Sequence, residues 1–193
     1  MKKIMFNDRY GLTQAVIEGR KTMAMMLINI KSTSDVQVRI FAGYVQIIGR
    51  SGDVCAEKKL SYKVGEVVAV AQRYQDIFDY SNCVNPYAWE DDDKPSGWTN
   101  KMLTKAELMP HQIRITGIKC ERLYDISEAD CLREGIRYLP QIGKFYFEDM
   151  RREEGFYFDD HREAFASLID KVSGRGTWGQ NPWVVVYEFE LVK

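Results

Sequence analysis

The chain alternates between short apolar runs of strand character and a few stretches with helical spacing. Residues 4–6, Ile4-Met5-Phe6, form a first strand candidate. Asn7 or Asp8 then stands where a side-chain oxygen can cap a helix whose apolar positions Leu12, Ala15 and Val16 share one face. Gly19 is placed to end that helix, because glycine reaches the positive φ that closes a C-terminus. Residues 22–28 read as a strand, and 36–41 with 44–48 as a hairpin turning on Ala42-Gly43. Gly65-Glu66 opens another strand through Val67, Val68 and Val70, leading into 72–80. Residues 81–104, which carry Asn85-Pro86, Glu90-Asp91-Asp92-Asp93 and Pro95-Ser96-Gly97, read as a long surface loop. A strand is predicted over 112–123. Ser127, with Asp130 three residues on, caps a short helix ending near Gly135. In 161–173, Phe165, Leu168, Ile169 and Val172 recur at i, i+3, i+4 and i+7, the core face of an amphipathic helix. A strand over 183–192 closes the pattern. These elements predict one α+β domain over 1–193, with insertions near 29–61, 81–104 and 137–160.

Composition narrows the choice of function. A chain of 193 residues can bury roughly two-thirds of its unfolded surface, so a core forms without a metal or disulfide staple. Lys and Arg number 27 against 28 Asp and Glu, a formal net charge of -1. That balance argues against a protein gripping a long duplex, which relies on dense cations neutralising phosphates. A nucleotide, a nucleoside or a short single strand remains open. The cysteines Cys55, Cys83, Cys120 and Cys131 include no C-x-x-C pair, and His111 and His161 do not complete a zinc spacing. They read as free thiols in a reducing compartment, with no metal and no cofactor expected. The start, Met1-Lys2-Lys3-Ile4-Met5-Phe6-Asn7, is too short in apolar residues for secretion, and no run approaches about 18 apolar residues. The expectation is a cytoplasmic protein with no membrane partner.

Four segments in chain order carry a resemblance. They are Gly19-Arg20-Lys21-Thr22-Met23-Ala24-Met25-Met26; Gly65-Glu66-Val67-Val68-Ala69-Val70; Met109-Pro110 followed by 121–130 and Arg133-Glu134-Gly135-Ile136; and Asn181-Pro182-Trp183-Val184 with the terminal strand. Together they resemble the ASCH-domain proteins of bacteria and their phages, within the PUA-like group. The resemblance implies an α+β fold of a small β-barrel with flanking helices, and a groove between the first helix and the barrel. It also implies binding of RNA or nucleosides. One branch of that family resembles an amidohydrolase acting on acetylcytidine. Its lysine, threonine and glutamate fall here on Lys21, Ala24 and Glu134.

Amide hydrolysis through a covalent intermediate needs a nucleophilic oxygen, a base and a donor for the leaving amine. Lys21 and Glu134 are the candidate catalytic residues, but Ala24 has no oxygen. Thr22 lies on the same face as Ala24 in a regular strand, roughly 6 to 7 Å away, against the roughly 3 Å reach that attack requires. Met25 and Met26 stand where the family often carries Arg-Arg, and Ala71-Gln72 where it shows Arg-Glu. A groove with fewer charges favours a neutral ligand. Gln72 can read an amide or base edge, because its side chain both donates and accepts. Tyr87, Trp89 and Trp98 offer rings on which a base could stack. Arg20, Thr22, Gln72, Tyr74 and Trp98 are thus the candidate ligand-binding residues. The leading expectation is an RNA- or nucleoside-binding PUA-like module with weak catalysis or none. The alternatives are an amidohydrolase on N-acylated nucleosides, and a phage-derived partner-binding protein with a degenerate pocket.

Overall fold

Apolar runs from both ends of the chain meet in one sheet. The computed structural model describes residues 1–28, 36–77, 94, 96–152 and 155–192. Its main sheet has five strands, β1 (Lys3–Ile4), β2 (Met23–Leu27), β6 (Val67–Val70), β7 (Gln112–Arg122) and β11 (Trp183–Leu191), in the order β1-β6-β7-β11-β2. β1 runs parallel to β6, and every other pairing is antiparallel. β11 lies between β7 and β2, which is why 184–187 is continuously apolar: Val184, Val185, Val186 and Tyr187 are all buried. Its register with β7 shifts between Glu188 and Phe189, a bulge near the end of the strand. β1 and β2 are the two edges of the sheet, which is open among the described residues. The architecture is α+β.

Two smaller sheets flank it. The hairpin of β3 (Gln37–Phe41) and β4 (Tyr44–Ile48) turns on Ala42 and Gly43, both at positive φ, and is joined by β5 (Val54–Lys59). The other sheet, of order β10-β9-β8, lies within the predicted insertion at 137–160: β8 (Arg137–Leu139), β9 (Lys144–Phe147) and β10 (Phe156–Phe158). Its aromatic residues form its core, with the Phe147 ring 5.0 Å from that of Phe156 and 5.8 Å from that of Tyr10.

Four α-helices complete the described fold: α1 (Leu12–Ile17), α2 (Tyr74–Ile77), α3 (Glu128–Arg133) and α4 (His161–Ser173). Ser127 caps α3 by accepting from the Asp130 amide at 3.1 Å, as its sequence predicts. Asp160 caps α4 by accepting from the Arg162 and Glu163 amides. Two helix expectations need correction. Neither Asn7 nor Asp8 caps α1; the N-cap is Gly11 in the left-handed region, with no side-chain bond. Asp8 instead accepts from the Thr13 hydroxyl and from Lys101 Nζ. Val172 is 39% exposed and not part of the core, because α4 runs on past the surface it covers. Among the described residues no helix is long and apolar enough to cross a membrane.

Candidate functional site

The site is built where two helix C-termini meet. In α1 the Gly19 amide donates to Val16 O at 3.0 Å and the Arg20 amide to Ala15 O at 2.9 Å. In α3 the Gly135 amide donates to Leu132 O at 3.0 Å and the Ile136 amide to Cys131 O at 3.2 Å. Both ends are Schellman closures, with Gly19 (φ 72°) and Gly135 (φ 112°) at the left-handed position. At Gly135 the requirement is doubled, since an added Cβ would lie 2.9 Å from Leu12 Cδ2. The two ends are then tied together. The Thr22 amide donates to Arg133 O at 3.0 Å, and Arg133 Nε donates to the Thr22 hydroxyl at 3.2 Å.

This junction sets Lys21 against Glu134 across 113 residues of sequence. Lys21 Nζ donates to the Glu134 carbonyl oxygen at 2.8 Å and to carboxylate Oε2. Both residues are buried, at 3% and 6% exposure. Lys21 Nζ also lies 5.8 Å from the centre of the Phe6 ring. A helix C-terminus favours a cation and disfavours an anion, so the end of α3 helps Lys21 and works against the Glu134 charge. Burial pushes the Glu134 carboxyl above the usual range, opposed by the Lys21 ammonium and by the Met25 backbone amide. Its Oε1 is buried without a well-formed hydrogen bond.

Beside the pair lies a cavity of about 160 Å³. Ala24, Met25 and Met26 of β2, Phe6, and Leu168 and Ile169 of α4 supply apolar wall, and Asn7 and Ser173 add polar groups. At roughly 30 Å³ per water, this is about five waters of space, below the roughly 300 Å³ of a typical small-molecule site. It takes one small group and not a whole nucleotide. Among the described residues Lys21 is the only cation in the lining, and Glu134 already engages it.

The structure therefore brings together Lys21, Glu134 and Ala24, and leaves the other candidates outside. Arg20 turns away to pair with Glu18, Nε to Oε2 at 2.7 Å. Thr22 lies just before β2, which begins at Met23, and its hydroxyl accepts from Arg133 Nε and does not line the cavity. Gln72 lines a separate cavity of about 270 Å³ with Thr13, Arg73 and Asp76, and its Oε1 is buried without a partner. The Tyr74 hydroxyl accepts from the Lys105 amide at 2.7 Å, and its ring packs on Ala69, Ala106 and Met109. Trp98 lines a third depression with Gln75 and Leu103. Tyr87, Trp89 and the acidic run Glu90-Asp91-Asp92-Asp93 lie outside the described residues. The sequence reading missed α4 as a wall of the cavity. Its signal was the apolar face of that helix, since Phe165, Leu168, Ile169 and Val172 all line the cavity. Among the described residues no group of three His, Cys, Asp or Glu side chains is arranged to hold a metal. No family model matches the chain, and no curated protein or solved structure matches it.

Proposed function

We propose that the chain is a PUA-like module that holds the uncharged base of a nucleoside, or of a short single-stranded RNA, in the cavity beside Lys21. In this reading the five-stranded sheet belongs to the PUA-like barrel frame, and the Lys21–Glu134 junction forms the floor of its groove. One observation carries the reading: a buried donor and a buried acceptor sit side by side in mostly apolar walls. Lys21 keeps a third N–H beyond the two it gives to Glu134, and Glu134 Oε1 has no well-formed hydrogen bond. A ligand with adjacent C=O and N–H groups, such as the edge of a pyrimidine or an amide, satisfies both. The small volume and the single, already paired cation favour a neutral group over a phosphate. The test is calorimetric titration with cytidine, acetylcytidine, uridine, their monophosphates and a short oligonucleotide. Nucleosides should bind at least as tightly as their monophosphates, and Lys21→Met should abolish the heat. Silence across the panel overturns the reading.

The contact between Lys21 and Glu134 also favours a second reading, an amidohydrolase on N-acylated nucleosides. Ala24 limits it, because loss of the nucleophile from a concerted set costs about a million-fold in turnover. Ala24→Thr puts a hydroxyl into the cavity lining. Acetate release from acetylcytidine should appear in this variant and be lost again on adding Lys21→Met. No release from Ala24→Thr removes the hydrolase reading.

A further inference from the structure

Lys21 is the only amine among the described residues of the cavity wall, and it has a carboxyl group in hydrogen-bond contact. Desolvation among apolar side chains is the setting in which a lysine attacks a carbonyl carbon, and a carboxyl group in contact can carry its protons. We infer that Lys21 is an imine-forming lysine, and that the cavity admits a small uncharged aldehyde or ketone. This uses the same cavity as the nucleoside reading without resting on it.

The step balances through Glu134 alone. The Lys21 ammonium passes a proton to Oε2, and the freed amine adds to the carbonyl carbon. Glu134 returns that proton to the carbonyl oxygen, giving a carbinolamine. It then takes a second proton from the nitrogen and delivers it to the hydroxyl, which leaves as water. One ammonium and one carbonyl compound become one iminium and one water, with no oxidation or reduction. The iminium keeps the positive charge of the ammonium it replaces. The Glu134 carboxylate, its carbonyl oxygen and the C-terminus of α3 continue to face a cation. Burial, which raises the affinity of the Glu134 carboxyl for a proton, suits it to hold one between steps. Ala24 leaves space where a larger side chain would stand. With Lys21 the one cation among the described lining residues, the cavity favours uncharged carbonyl compounds over 2-oxo acids and sugar phosphates.

Sodium cyanoborohydride reduces an iminium to a stable secondary amine, so the adduct can be trapped. The folded chain is treated with limiting butanal and this reductant, and the lysines are mapped by peptide mass spectrometry. Lys21 should gain a butyl group at least about ten-fold faster than the exposed Lys58 and Lys63, and Glu134→Gln should slow it by about 100-fold. Pyruvate should label Lys21 no faster than the surface lysines. Ala24→Val fills the cavity without touching the pair; it should keep its circular dichroism and lose the selective label. Lys21 modified no faster than Lys63 in the folded parent chain overturns the inference. So does selective labelling that persists in Ala24→Val. Nucleoside titration needs no aldehyde, so failure of either idea is read separately.

Discussion

Replacing Lys21 by methionine keeps most of the side-chain volume but takes the ammonium away from Glu134. The carboxylate then sits at 6% exposure, at the end of a helix that disfavours its charge, with no counter-ion. Removing one partner of a buried pair costs about 3–5 kcal/mol, because the remaining charge is left desolvated. In a chain of this size 1 kcal/mol moves the melting temperature by about 2–4 °C, so Lys21→Met should melt about 6–20 °C below the parent. Glu134→Leu should fall in the same range, since it strands the ammonium with one carbonyl oxygen and the Phe6 ring.

The double variant gives the sharper result. With both charges gone neither side chain of the junction is left ionised, and the remaining loss is the donor to the carbonyl oxygen of residue 134, worth about 1–2 kcal/mol. Lys21→Met/Glu134→Leu should therefore be more stable than either single variant, within about 2 kcal/mol of the parent. The assay is guanidinium unfolding followed by circular dichroism, on the parent and the three variants. Single variants that each lose less than about 1 kcal/mol, or a double variant whose loss equals their sum, would refute a desolvated, mutually dependent pair.

Asp149 provides a test of pH dependence away from this cavity. Arg9 grips it at both oxygens, Nε to Oδ1 at 3.0 Å and Nη2 to Oδ2 at 2.8 Å, and holds its carboxyl down to about 2. A depressed carboxyl adds stability that is complete above its unfolded value, near 3.8, and is lost as pH falls through about 2. The urea midpoint of the parent should thus fall more steeply between those values than that of Asp149→Asn; parallel curves would contradict this. The thiols should separate by burial: Cys55 is exposed, while burial pushes the Cys131 thiol up to about 12. At pH 8 such a thiol is about one part in ten thousand thiolate, so iodoacetamide should label Cys55 in the folded chain and reach Cys131 only on unfolding. Equal labelling rates would show that α3 opens freely.

Features decided by local chemistry were legible in the sequence. Gly19 and Gly135 mark the two Schellman closures, Ser127 marks the start of α3, and Ala42-Gly43 marks the hairpin. Features decided by distant partners were not. β5 has no apolar alternation, because Val54 to Lys59 is exposed at every position and pairing with β4 alone makes it a strand. Asp8 looked like a cap, but Lys101, distant in sequence, binds its carboxylate and α1 starts later, at a bare glycine. Helical spacing placed Val172 in the core, yet periodicity says nothing of where the surface being covered ends.

The same distinction explains the site. Lys21 and Glu134 were found through a motif resemblance, but what unites them is the pair of bonds between Thr22 and Arg133, which no local pattern announces. Arg20 and Thr22 were drawn into the candidate list by standing next to Lys21. Residues in the turn leaving α1 point in different directions, so adjacency in sequence there is poor evidence of a shared cavity. The apolar residues tell more. Ala24, Met25 and Met26 looked like separate losses of polarity, and in space they form part of one wall with Leu168 and Ile169 of α4. Apolar side chains at these three positions keep the surroundings of Lys21 and Glu134 low in polarity, which strengthens the interaction between them. The proposed ligand, a small uncharged group that reaches both members of the pair, suits such a wall. Phosphate recognition would need a second cation in the same wall, and the described lining holds Met25 and Met26 there instead.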